Sequence, residues 1–131
     1  MAIIVVDSSA ISAYGRASDS RLAAWFSPKH QLLIPLIVVA ELRAGFAAGN
    51  KRQANEGLLR RFLDAPNVDT LTINDKTTSI YAEIYLKLRK AGRPIGTNDM
   101  WIAAIAMEHN KKLLTLDRDF VHIPGLQVVK L

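Results

Sequence analysis

Residues 3–10 read Ile3-Ile4-Val5-Val6-Asp7-Ser8-Ser9-Ala10, a β-branched apolar run that breaks off at a carboxylate. A continuous run of this kind is expected of a strand buried on both faces, as strands of a parallel sheet are. Asp-Ser-Ser then favours a turn or the start of a helix, here one beginning near Ala10. In open parallel sheets, ligands gather beyond the carboxyl ends of the strands. Asp7 is therefore either the cap of the next helix or part of a ligand site, and the local sequence leaves both open.

Working outward, strand-like and helix-like segments alternate. Leu22, Trp25 and Phe26 predict a helix over 18–26, stopped by Pro28. Leu32 to Ile34 reads as a second strand, and Pro35 opens a helix over Leu36–Ala48 that Gly49-Asn50 closes. A second amphipathic helix over Lys51–Leu63 completes a helical hairpin, with Leu58, Leu59 and Phe62 grouped on one side. Val68 to Ile73 alternates like a strand. A long helix runs from Asn74 or Asp75 to Ala91, with Gly92 behind it. Asn98–Glu108 predicts another helix, and Lys112–Leu116 and Leu126–Val129 two last strands. The alternation argues an α/β fold around a mostly parallel sheet, in one domain spanning 1–131.

Composition narrows the chemistry. Cysteine is absent, which excludes disulfides, thiolate metal sites, iron–sulfur clusters and cysteine nucleophiles, and favours a reducing compartment. Ala2–Val6 lacks the basic flank and the length of a secretory signal. The run from Leu32 to Ala40 is broken by Pro35 and too short to span a bilayer. The expectation is a soluble, cytoplasmic protein with no membrane partner. Seventeen Lys and Arg against twelve Asp and Glu give a net charge of +5, which favours a polyanionic partner such as nucleic acid. GxxxxGK[ST], GxGxxG and GxSxG are all missing, which removes the common nucleotide-binding and serine-hydrolase readings.

Four acidic residues then stand out because they sit at the edge of apolar segments or inside them: Asp7, Glu41, Asp99 and Asp117. Glu41 has Ile37, Val38, Ala44 and Gly45 three and four residues away, so it belongs to no charged helix face. Its alternatives are a carboxylate held by an arginine or backbone donors, or a ligand. Asp99 lies in the first turn of its helix, where any acid suits the dipole, yet Ile102, Ala103 and Ala106 share its face. Asp117 ends a strand as Asp7 does. Asp119 follows two residues later, and spacing does not choose between them. Ser8, Asn98 and Thr115 lie next to these acids and can orient carboxylates or bound water. Gathered like charges disfavour their own ionisation, whereas a hard divalent cation such as Mg²⁺ or Mn²⁺ accepts an all-oxygen ligand set.

The same residues carry a family resemblance. Ile3 to Ala10, Val38-Val39-Ala40-Glu41-Leu42-Arg43-Ala44-Gly45, Thr97-Asn98-Asp99-Met100-Trp101-Ile102-Ala103-Ala104 and Leu113-Leu114-Thr115-Leu116-Asp117-Arg118-Asp119-Phe120 resemble, in order and spacing, the four motifs of PIN-domain ribonucleases, especially VapC-type toxins of toxin–antitoxin pairs. The family often has Thr-Asn after its first Asp, where Ser8-Ser9 stand here. The resemblance implies a three-layer α/β/α sandwich and Mg²⁺- or Mn²⁺-dependent hydrolysis of RNA phosphodiesters at Asp7, Glu41, Asp99 and Asp117, which inhibits translation and growth. Its implied partners are an RNA substrate, a cognate antitoxin and a second copy of the chain in a homodimer. A PIN-like domain that binds RNA without cleaving it is the alternative. Receiver-type phosphoacceptors and haloacid-dehalogenase-type phosphatases fit poorly, since the first strand ends in one Asp with neither an acidic pair nor Asp-x-Asp.

Overall fold

A computed structural model describes residues 1–131. Four parallel strands form one sheet: β1 (Ile3–Val6), β2 (Gln31–Pro35), β3 (Val68–Leu71) and β4 (Leu113–Leu114), in the order β3-β2-β1-β4. Five helices alternate with them: α1 (Ser8–Gly15), α2 (Leu36–Ala48), α3 (Arg52–Leu63), α4 (Asp75–Lys90) and α5 (Thr97–Glu108). The fold is the expected α/β sandwich. No helix is long and apolar enough to cross a membrane.

The apolar runs explain the architecture. Val5, Val6, Leu32 and Ile34 are fully buried, as strands covered on both faces require. In α5 Met100 and Ile102 to Ala106 are all buried, so this helix has no solvated stripe. Ala103, Ala104 and Ala106 lack bulk, which lets the backbone approach its neighbours closely. α4 packs along α5 and is amphipathic, with Ile84 and Leu88 buried. Its start is fixed by a capping box between Asn74 and Thr77, and both side chains also donate to Glu108 near the end of α5. The expected hairpin of α2 and α3 forms, tied by Arg43 to Glu56 at 3.2 Å. Leu59 is the buried residue of α3, while Leu58, expected on the same side, is 57% exposed.

Three expectations need correction. The segment 18–26 is not a helix but a short 3-10 turn at Ser20–Leu22 followed by irregular turns. Asp19 caps this single turn, accepting the backbone N–H and the guanidinium of Arg21, and the chain does not continue as a helix beyond it. The strand predicted over Lys112–Leu116 shrinks to two residues. Leu126–Val129 keeps only one parallel bridge, Leu113 to Val128, because its partner strand is too short for a ladder. The turn before that bridge uses Gly125 at φ +85°, with Met107 Cε 3.1 Å from where a Cβ would stand.

Phe120 is fully buried in the 3-10 segment Arg118–His122 that follows Asp117. Phe120→Ala is expected to cost about 3–5 kcal/mol in chemical denaturation, and a loss below about 1 kcal/mol would refute its role as the anchor of that segment.

Candidate active site

The strand order reverses direction at β1: the chain steps from β1 to β2 on one side and reaches β4 on the other. Ligand crevices of open α/β sheets lie at such a switch point, beyond the strand carboxyl ends. Register decides what meets there. Val6 pairs with Leu114, so Asp7 and Thr115, the next residue on each strand, emerge side by side. The Asp7 N–H donates to the Leu114 carbonyl at 3.0 Å.

Asp7 is buried, with 4% of its surface exposed. It occupies the N-cap position of α1, yet its side chain does not cap the helix. Instead Oδ2 accepts from Thr115 Oγ1 at 2.7 Å and from Ser9 Oγ at 2.9 Å. Ser9 Oγ lies 3.2 Å from Thr115 Oγ1 and accepts from the Leu116 N–H at 3.0 Å. Thr115 Oγ1 accepts from the Asp117 N–H at 3.0 Å. This closed set of bonds fixes one oxygen of Asp7 and leaves Oδ1 with a single long contact, Ser8 Oγ at 3.5 Å. Asp7 is thereby set up to offer one oxygen to a ligand.

Glu41 comes from the middle of α2 and is half-buried. Its Oε1 accepts from Ser8 Oγ at 3.2 Å, so one hydroxyl lies between the first two acids. Burial pushes the Glu41 carboxyl above its usual range, and the charge on Asp7 adds to this. The Ser8 and Asn98 side chains pull the other way by favouring the charged form. Asp99 stands in the first turn of α5. Burial and then the charges of Asp7, Asp117, Glu41 and Asp119 push its pKa up to about 6. Four acids acting on a fifth place all five in one electrostatic neighbourhood.

Asp117 is half-buried and caps the 3-10 turn after it, its Oδ1 accepting from the Asp119 N–H at 2.9 Å, while Asp119 is exposed. Asp117 also weighs more on Asp99 than Asp119 does. No cation answers this charge: the ion pairs of the chain are Arg21–Asp19 and Arg43–Glu56, both elsewhere. As they stand, no three acidic or histidine side chains close on one point tightly enough to hold an ion. The donor set itself fits a hard divalent cation, being all oxygen and unpaired with any cation, with the charged forms of Glu41 and Asp99 disfavoured.

Ser9 is the residue that sequence reasoning missed. Its only signal was a hydroxyl two residues after a strand-end Asp, which equally suits an ordinary turn. Beside Glu41 and Ser8 opens a groove of about 620 Å³ between α1, α2 and α3, with Tyr14, Phe26, Leu58 and Phe62 along it. Tyr14 stacks on Phe26 at 4.2 Å between ring centroids.

Comparison with known proteins gives the family of the chain and the relatives of its fold. A family model for the PIN domain matches residues 4–126. The chain is 34% identical over 102 residues to ribonuclease VapC1 of Haemophilus influenzae, an alignment spanning 76% of this chain and 74% of that protein. It is 32% identical to the plasmid stability protein StbB of Pseudomonas syringae pv. tomato over 97% of this chain and 96% of the relative. Among solved structures, VapBC2 from Rickettsia felis bound to a promoter DNA fragment is similar with a TM-score of 0.87 at 26% identity, covering 98% of both chains.

The raised Asp99 makes a thermodynamic prediction. Between its ordinary value of 3.8 and about 6 the folded chain binds more protons there than the unfolded chain. Stability of the metal-free protein should therefore fall as pH rises through that window. Asp99→Asn should raise the melting temperature in EDTA near pH 7 by roughly 3–6 °C, with the gain shrinking toward about pH 4. No gain near neutral pH would refute the crowding of these charges.

Proposed function

The chain belongs to the PIN domain family, and on that premise we propose that it is a metal-dependent endoribonuclease, the toxin of a toxin–antitoxin pair that inhibits translation and growth from the cytoplasm. The observation that carries this reading is the uncompensated carboxylate cluster at the β1–β4 switch point. The similarity to ribonuclease VapC1 supports the reaction class. The net charge of +5 supports a polyanionic substrate, since the acids are gathered locally while the rest of the chain is basic.

Asp7, Glu41, Asp99 and Asp117 would hold Mg²⁺, or Mn²⁺ in its place. Such an ion, when bound, supplies Lewis-acid stabilisation of a phosphoryl oxygen and lowers the pKa of water. The rest of the work belongs to the chain. Thr115 and Ser9 lock the Asp7 carboxylate so that Oδ1 keeps one direction. Ser8 holds Glu41 toward Asp7. Asp119 shapes the turn that presents Asp117, by donating its N–H to that carboxylate. Glu41 and Asp99, whose charged forms are disfavoured by burial and by their neighbours, gain most from a nearby cation and discriminate against a site left without one.

The similar Rickettsia structure is a VapBC complex, which supports a cognate antitoxin for this chain too. Its place here is the apolar groove beside Glu41, where a bound segment would cover the entrance to the carboxylates. A homodimer completes the reading.

Cleavage of single-stranded RNA should require Mg²⁺ or Mn²⁺ and stop in EDTA. Asp7→Asn and Asp99→Asn should each lower the rate by about a hundredfold or more, with the fold intact by circular dichroism. Thr115→Val and Ser9→Ala should lower it less, because they free the Asp7 carboxylate without removing it. Retention of RNA with no cutting in either metal would overturn the enzyme reading in favour of a binding-only domain. Undiminished cutting by Asp7→Asn would overturn the site.

A further inference from the structure

A second groove, of about 340 Å³, lies between the end of α4 and the start of α5. Tyr85, Arg89 and Arg93 line it, with Leu88, Ile95 and Met100 among its apolar lining. Its position is set by the chain itself. The loop from Gly92 to Gly96 forms part of the wall and then runs into α5, where Asp99 stands beside Met100. Arg93 reaches across to the other acidic segment: Nη1 lies 3.2 Å from Nδ1 of His122, at the end of the 3-10 turn that Asp117 opens. The groove thus adjoins both segments that deliver acids to the carboxylate cluster.

Its charge is opposite to that of the cluster. No acidic residue lines it, and neither Arg89 nor Arg93 is in an ion pair. Both guanidiniums are nevertheless held in place. Arg89 Nη1 donates to the Tyr85 hydroxyl at 3.2 Å, one helical turn away, and Arg93 is held by His122. A guanidinium carries five N–H donors in a fixed fork. Each arginine spends one here and keeps four, in a geometry suited to phosphate oxygens. Tyr85 is 47% exposed. Two guanidiniums in one groove with an exposed aromatic ring, over an apolar floor, are the combination that binds single-stranded nucleic acid, with phosphates on the cations and a base on the ring.

We propose that this groove binds the stretch of single-stranded RNA next to the scissile bond, with flanking phosphates on Arg89 and Arg93 and an unpaired base on Tyr85. The proposal rests on the ribonuclease reading and adds where the substrate lies. Arg89, Arg93 and Tyr85 are positioning residues in it, since they touch the RNA away from the reacting phosphate.

The test is binding of a fluorescent single-stranded oligoribonucleotide in EDTA, across a salt series, to the full chain and its variants. Arg89→Gln/Arg93→Gln should weaken binding and flatten the slope of log K against log salt by about 1.4, the value for two phosphate contacts on a single strand. Arg60→Gln/Arg61→Gln on α3 should leave that slope unchanged. Tyr85→Leu should weaken binding roughly tenfold at all salt concentrations, as loss of one stacked base does. Arg89→Lys/Arg93→Lys should keep the wild-type slope. In the metal-containing cleavage assay, the Gln pair should raise KM with kcat within about twofold, the sign of lost uniform binding. A Gln pair that binds RNA like the wild type, with the slope intact, would overturn the groove assignment while leaving the ribonuclease reading standing. So would a Gln pair that loses only a protein partner. Absence of both RNA binding and cleavage in the wild type would overturn both.

Discussion

The parallel pairing of β1 with β4 is the constraint on which the rest of this molecule depends. Residues at the two ends of a long stretch of chain meet only because Val6 is in register with Leu114. A one-residue slip would turn every side chain on β4 to the opposite face. Thr115 would then leave Asp7, and the two-residue strand has no length with which to absorb the error. Both strands are buried and apolar, so the core enforces the register that the polar residues beyond it need. Function here is inherited from packing one residue upstream.

What gathers at that point is, for the folded chain alone, unfavourable. Several carboxylates stand within each other's fields with no basic side chain to relieve them, and burial deepens the cost for Asp99 and Glu41. Elsewhere the molecule meets its polar obligations: no buried side-chain polar atom lacks a hydrogen bond. Polar satisfaction everywhere and charge satisfaction nowhere in the cluster is the pattern of a site held at the expense of stability. The hydroxyls of Ser8, Ser9 and Thr115 soften that expense. They supply the donors that keep carboxylates oriented without adding a positive charge that would fill the place of a cation.

Much of this was legible in the chain because burial leaves a pattern. The β-branched run before Asp7 announced a covered strand and put the Asp at its end. The apolar neighbours of Glu41 announced an inward-facing acid, and the structure finds it half-buried with Ser8 as its partner. Asp99 above Ile102 and Ala103 was readable for the same reason. Other features depend on contacts that no local window contains. Asp7 was readable as a cap or a ligand. Its side chain turns away from the helix because Thr115, 108 positions on, donates to it. Ser9 gains its role from the same distant partner. The segment 18–26 differs for another reason: helical spacing of Leu22, Trp25 and Phe26 records only that these side chains face inward, and a capped 3-10 turn followed by irregular turns buries Leu22 and Phe26 as well. Asp117 is half-buried and Asp119 exposed, a difference that spacing does not encode.

The separation between Asp7 and Thr115 also orders events in time. Contacts this remote in sequence carry a large loop-closure cost and form late, after local helices and the β1–β2 pairing have already condensed. A chain still being synthesised, with Thr115 not yet made, holds an Asp7 that nothing orients and an acidic cluster short of its last member. The acidic cluster is therefore assembled only near the end of folding. Topology alone thus imposes a physical delay between the start of the chain and the assembly of its carboxylates.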